Sequence, residues 1–200
     1  MYVARILYPV KVLGPGNRVG IWMVGCKHGC KGCSNPELWE FQEKYKTSID
    51  AVMYLINQIG RNNAIDGFTI TGGEPLEQSE ELSQLLPQLR KISTDILMYT
   101  GYDFGYVEKS NREILDMVSV IIDGKYIEEQ NTGVILRGSE NQNIHILDER
   151  LKIKYEAYLN THTNGIQNFC LGNAVISVGI HEKDYADKID KLIKEKIRYE

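Results

Sequence analysis

Apolar and β-branched residues dominate positions 2–24, and GPGNR at 14–18 interrupts them. This predicts a strand, a tight turn and a second strand over 20–24. The period then changes: Val52, Leu55, Ile56 and Ile59 recur at the i, i+3, i+4, i+7 spacing of an amphipathic helix, with Ser48 placed to cap it. GFTIT (67–71), DILMYT (95–100) and VSVII (118–122) read as short strands. Between the first two, Leu82, Leu85, Leu86 and Leu89 repeat the helical spacing, and residues 105–117 repeat it more weakly before the third. Strands that alternate with helices form βαβ units and a mostly parallel sheet.

The end of the chain has another pattern. IQNFCLGNAVISVGI (166–180) predicts a hairpin turning at 171–173, and Tyr185, Ile189, Leu192, Ile193 and Ile197 fall on one face of a closing helix. Such a stripe is what an ordinary helix packed on its own domain shows; recruitment of a partner is the other reading. The chain therefore divides into a core domain over 1–150 and a C-terminal extension over 151–200, hairpin plus amphipathic helix, packed on that core.

Unusual residues cluster where the predicted strands end. Three cysteines at 26–33, TGGEP at 71–75, TGY at 100–102 and DGK at 123–125 each lie at or just past a strand's carboxyl end. Right-handed crossovers bring those ends to one side of a parallel sheet, where α/β folds build their sites. Four segments distant in sequence are thus expected to meet.

Composition narrows the chemistry. The 200 residues are 42% hydrophobic and 25% charged, with a formal net charge of -4. These are globular values, and the acidic balance argues against a general nucleic-acid or acidic-membrane binder. No apolar run approaches the roughly 20 residues that span a bilayer, and MYVARILYPV is not a charged leader with an apolar core. A cytoplasmic location is expected, where clustered thiols signify metal or redox chemistry more often than disulfides.

Cys26, Cys30 and Cys33 form C-x3-C-x2-C, three of only four cysteines. Structural zinc sites pair C-x2-C knuckles, and no second pair exists. Three thiolates suit three corners of a [4Fe-4S] cluster, leaving one iron open to a substrate or cofactor. Cys170 is the alternative fourth ligand, giving a closed carrier or staple, and His28 would complete a Cys3His zinc site. His145, His162 and His181 stand alone. Neither a Walker loop nor a G-x-G-x-x-G fingerprint is present.

The cysteine loop after an early strand, followed by GGEP after a later one, resembles the radical S-adenosylmethionine superfamily. GPGNR, NPELW (35–39), TGY, DGK and RGSENQ (137–142) make the chain most similar to glycyl-radical-enzyme activases serving anaerobic ribonucleotide reductase, over residues 12–147. The fold this implies is α/β, a partial (β/α) barrel with a mostly parallel sheet, plus the C-terminal β-hairpin and helix. The chemistry it implies is reductive cleavage of S-adenosylmethionine on the open iron, with an electron from a carrier such as flavodoxin. The resulting 5'-deoxyadenosyl radical removes a hydrogen from a glycine of the partner's large subunit.

The same resemblance implies site roles. Cys26, Cys30 and Cys33 hold the metal, and Gly32 and Ser34 lie beside the cofactor with Cys33. Gly72 and Gly73 offer carbonyls to the methionine ammonium and Glu74 adds a charge-assisted bond. Thr100 closes the same face, Asp123 would accept from ribose hydroxyls and Lys125 would pair with the methionine carboxylate, although Asp-Gly-Lys is equally an ordinary turn composition. Apart from the resemblance, Lys27 and Lys31 would place positive charge beside the cluster, although exposed lysines are more often simply solvated. Arg18 and residues 137–142 shape the pocket or its mouth, although Asn141 and Gln142 also suit backbone capping. No acid-base pair is expected, because the cofactor carries the chemistry. Gly32 stands where many superfamily members have an aromatic residue, and Leu13 where the family is usually polar. Two rivals remain: a small radical enzyme acting on a metabolite, which needs an enclosed pocket, and a non-catalytic iron-sulfur or zinc module. RGSENQ favours the activator.

Overall fold

A computed structural model describes residues 1–172, 174–185 and 187–191. Its centre is a run of parallel strands: β2 (Arg18–Met23), β3 (Gly67–Gly72), β4 (Ile96–Tyr99) and β5 (Val120–Asp123) pair in chain order. Crossovers through α1 (Ile49–Asn62), α2 (Ser79–Arg90) and the short pair α3 (Phe104–Ser110) and α4 (Arg112–Leu115) join them. An antiparallel strand closes each edge, β1 (Val3–Val10) against β2 and β6 (Asn143–Ile146) against β5. The result is the expected mixed α/β sheet, six strands wide and mostly parallel.

Strand alternation sorts the core into two layers. Val19, Ile21, Met23, Phe68, Ile70, Ile96, Met98 and Ile121 face α1 to α4, where Leu82, Leu85, Leu86 and Leu89 are all fully buried. The neighbours on the opposite face pack against the C-terminal quarter. Leu97, Val120 and Ile122 meet Tyr155 and Tyr158 of α5 (Lys152–Thr161). Leu7, Val10, Trp22 and Val24 meet Val178 of the hairpin β7 (Ile166–Leu171) and β8 (Ala174–Gly179). The extension thus covers one face of the sheet.

Several expectations shift. Ser48 caps α1 as anticipated, its hydroxyl accepting from Ala51 N at 3.1 Å. Leu55, however, is 51% exposed, because the buried stripe runs through Val52, Met53 and Ile56. The weak stripe at 105–117 breaks at Asn111 into two helices. β6 and α5 were not expected; β6 is only partly buried, and α5 turns two tyrosines inward rather than an aliphatic row. Residues 185 and 187–191 are helical, while Leu192, Ile193 and Ile197 of the expected closing stripe lie outside the described residues.

Arg18 departs from the role of pocket-shaper. It opens β2, at the end of the sheet opposite the cysteines, and its side chain is fully buried. Its guanidinium donates to Thr69 Oγ1 (2.7 Å), to the carbonyls of Pro15 and Phe68 and to Asp95 Oδ1 (3.0 Å). Asp95 also accepts from Tyr155 Oη (2.7 Å) and Lys154 Nζ (2.6 Å), so one carboxylate joins β2, β4 and α5. Arg18 holds its carboxylate below the ordinary aspartate range, against the opposing effect of burial.

Candidate active site

The cysteine loop leaves β2 after Met23, and backbone bonds fix its base. Gly25 N donates to Leu38 O (2.8 Å) and Cys26 N to Trp39 O (2.9 Å), so NPELW folds back under the first cysteine. From the other side Gly73 N donates to Met23 O (2.8 Å) and Glu74 N to Gly25 O (2.7 Å). The glycine at 73 is required sterically: a β-carbon there would lie 2.5 Å from Gly25 O and 3.0 Å from Leu38 O. Gly73→Ala is therefore expected to push the loop off its base at a cost of about 1–3 kcal/mol, typical of overpacking against backbone. A lowered denaturation midpoint together with reduced iron retention after reconstitution would show it.

Glu74 occupies the middle of the site with no solvent exposure. Oε1 accepts from Leu76 N (3.0 Å) and Thr100 Oγ1 (2.8 Å); Oε2 accepts from Gly101 N (2.7 Å) and His28 Nε2 (3.0 Å). A carboxylate has about four acceptor positions, and all are taken. Glu74 thus ties the cysteine loop to the ends of β3 and β4. That arrangement also commits His28, which rests edge-on against Tyr102 at 4.7 Å, to the carboxylate.

The expected convergence is present. Cys26, Cys30, Cys33, Ser34, Gly72, Gly73, Glu74, Thr100 and Gly124 line one pocket of about 1090 Å³, counted with its open mouth. Asp123 and Lys125 are not among its walls. The Asp123 carboxylate is turned to Phe104 N (2.7 Å) and to Asn143 N and Nδ2 (3.1 Å each), linking α3 to β6. Lys125 is exposed, though near enough for its charge to favour the Cys30 thiolate. Gly32 is exposed at a positive φ of 71°, with Glu128 where a side chain would go.

Residues 137–142 clamp the turn after β5, the capping role, and Gly138 and Gln142 also line the pocket. Gln142 Nε2 donates to Gly124 O (2.7 Å) while its Oε1 accepts from Gly138 N (2.8 Å), and Asn141 Nδ2 donates to Lys125 O (2.8 Å). Lys27 and Lys31 add no net positive charge beside the thiols. Lys27 pairs with Glu77 at 2.5 Å and Lys31 with Glu128 at 2.8 Å and Glu129 at 3.3 Å.

The three thiols are free and half-buried, and burial pushes those of Cys26 and Cys30 up, so that a bound metal would have to displace their protons. Among the described residues no three of His, Cys, Asp or Glu converge on a single ion. Three soft sulfurs spread around a pocket wall fit a cluster better than a lone tetrahedral metal. Cys170 is exposed on β7, opposite Val175, and does not line this pocket.

One wall was not foreseen. Ser177, Val178, Gly179, Ile180 and His181, from β8 and the residues after it, face the same pocket as the cysteines. The hairpin pattern was legible, but nothing in its sequence indicates which surface it covers.

This fold and thiol set define an iron-sulfur domain, and the model of the 4Fe-4S single cluster domain family matches residues 12–145. The chain is 37% identical over 143 residues to the anaerobic ribonucleoside-triphosphate reductase-activating protein of Enterobacteria phage T4, covering 69% of this chain and 90% of that one. The protein of the same name from Haemophilus influenzae is 35% identical over 147 residues, covering 69% and 94%. That from Escherichia coli K12 is 28% identical over 148 residues, covering 70% and 96%. The chain belongs to this family of activating proteins. The family model stops at residue 145, ahead of α5 and the hairpin.

Proposed function

We propose that this chain activates an anaerobic ribonucleoside-triphosphate reductase by a radical S-adenosylmethionine mechanism. The observation that carries the reading is the meeting of Cys26, Cys30 and Cys33 with the Gly72–Gly73–Glu74 turn at one pocket, in a chain so similar to activating proteins. When bound, a [4Fe-4S] cluster with one open iron and S-adenosylmethionine would supply a 5'-deoxyadenosyl radical, which takes a hydrogen from a glycine of the reductase.

The residues of this chain bind and orient. Three thiolates hold three corners of the cluster. Gly72 and Gly73 let the turn after β3 press directly against the backbone of Met23 and Gly25, and their carbonyls would suit the ammonium group of the cofactor. Glu74 acts one step back: it fixes Thr100, Gly101 and His28 through three hydrogen bonds, with Leu76 N as its fourth donor, so the pocket's middle is rigid before the cofactor arrives. An open mixed sheet, curved as a partial (β/α) barrel, would leave the carboxyl ends of the strands accessible to a protein loop. A flavodoxin-like carrier in the cytoplasm would deliver the electron. No helix among the described residues is long and apolar enough to cross a membrane. The wall formed by 177–181 is the feature that favours the rival metabolite enzyme, since it encloses the pocket further.

The test is anaerobic reconstitution with iron and sulfide, reduction, and addition of S-adenosylmethionine with and without the reductase. Release of 5'-deoxyadenosine and a glycyl radical signal on the reductase are expected. An intact cluster that releases none would refute the radical mechanism, and cleavage without any radical on the reductase would refute the partner.

A further inference from the structure

The hairpin is pinned to the site from two sides. Gln167 Nε2 donates to Pro9 O (2.7 Å), and its Oε1 accepts from Lys11 N (3.0 Å), which locks β7 to the end of β1. Val178, 3% exposed, packs in the cluster that contains Leu13 and Trp22. Both of these also line the pocket. Gly179, at a φ of +147°, lies so close to the carbonyl of Gly165 that a β-carbon there would collide with it. The chain leaving β8 is therefore directed along the pocket wall.

His181 ends that wall. Its ring stacks on Tyr185, with centroids 4.3 Å apart and planes 18° from parallel, and its carbonyl accepts from Asn131 Nδ2 at 2.9 Å. Asn131 Nδ2 also lies 3.1 Å from Tyr126 Oη, and the backbone of Tyr126 rests against the Cys30 sulfur. His181 is thus set back from the thiols by a tyrosine's length and an amide. Its Nε2 is buried and has no hydrogen-bond partner among the described residues. Burial also holds the imidazole below its ordinary pKa, hence uncharged near neutrality and able to donate or accept. A buried polar atom without a partner is costly unless a ligand satisfies it.

We propose that the C-terminal hairpin completes the cofactor pocket and that Nε2 of His181 hydrogen-bonds the nucleoside half of bound S-adenosylmethionine. The inference rests on the radical S-adenosylmethionine reading of the site. The methionine half, whose amino and carboxylate groups would bind the open iron, would lie against the cysteine loop. The nucleoside is then the part that would extend toward a wall linked to Cys30 through Tyr126 and Asn131. Adenine and ribose both present hydrogen-bonding atoms that suit a neutral imidazole. The residue belongs to a segment outside the 12–145 family match, so it adds to the site those residues build.

His181→Ala and His181→Gln, reconstituted anaerobically beside the parent protein, test this. S-adenosylmethionine, S-adenosylhomocysteine and methionine are titrated separately, following the electron paramagnetic resonance of the reduced cluster. His181→Ala is expected to keep its iron, to bind the first two ligands about tenfold more weakly, and to bind methionine unchanged, the loss of one buried hydrogen bond. Its KM for S-adenosylmethionine should rise by a similar factor, with 5'-deoxyadenosine release at saturation retained. His181→Gln, which can place an amide near the position of Nε2, should recover most of the affinity. Binding within twofold of the parent by His181→Ala overturns the proposal, and so does an equal loss for methionine, which locates the damage elsewhere. Failure of the parent itself to bind S-adenosylmethionine with its cluster intact refutes the underlying functional reading instead.

Discussion

Cys30→Ala is expected to lose the cluster and, with it, 5'-deoxyadenosine release by more than roughly 100-fold, beyond the 10- to 100-fold that outer partners of a metal ligand cost. Two thiols cannot hold three corners, and the imidazole and carboxylates described beside the cysteine loop are already engaged. His28 and Glu74 are bonded to each other at 3.0 Å, and Glu128 is paired with Lys31 at 2.8 Å. Iron and sulfide content and the visible absorbance of the reconstituted protein report the first loss, and product analysis the second. The control is Cys170→Ala, which removes an exposed thiol from β7 and should leave metal content and turnover at parental values. A cluster that disappears from the Cys170 variant, or survives in the Cys30 variant, would contradict three-thiol ligation.

Asp95→Ala should produce the largest loss of stability. The carboxylate is 3% exposed and counters a fully buried Arg18, while also accepting from Tyr155 and Lys154. Removing it strands the guanidinium in a low-dielectric interior, which costs about 3–5 kcal/mol. Urea unfolding should show that as a lowered midpoint with little change in slope. The pH dependence follows from the same pair. Because the folded-state pKa lies below the unfolded value of about 3.9, the contribution is complete above that value and disappears as pH falls through the lower folded one. The parent should therefore lose stability in acid below about pH 4 through this group, and the alanine variant should lack that component.

These two predictions concern opposite ends of the same strands, and the sequence was legible to different degrees at each. At the carboxyl ends the cysteine spacing and the glycine turns stand out in the chain, and their convergence follows from parallel topology. Roles were less visible than positions. Glu74 looks like a ligand-binding carboxylate until its four donors are found, and Asp123 has the right place in sequence with its side chain turned to Phe104 N and Asn143. Such outcomes depend on side-chain direction at a strand end, which periodicity does not encode. Arg18 shows the same limit: a charged residue beside a tight turn gives no sign that its partner is Asp95, 77 residues later. β6 escaped although Ile144 and Ile146 alternate, because a four-residue, partly buried edge strand is too short a run to stand out, and α5 escaped because it turns two tyrosines inward in place of an aliphatic row.

The wall at 177–181 has a consequence for biogenesis. All three thiols and the Gly-Gly-Glu turn emerge from the ribosome a hundred residues or more before β8 does. A nascent chain can therefore fold its cysteine loop onto a sheet that still lacks one side of the pocket, leaving a wider passage for iron and sulfide delivery. Docking of the last strands then narrows that passage, so the order of synthesis leaves an interval in which the cysteine loop stands open before it is enclosed.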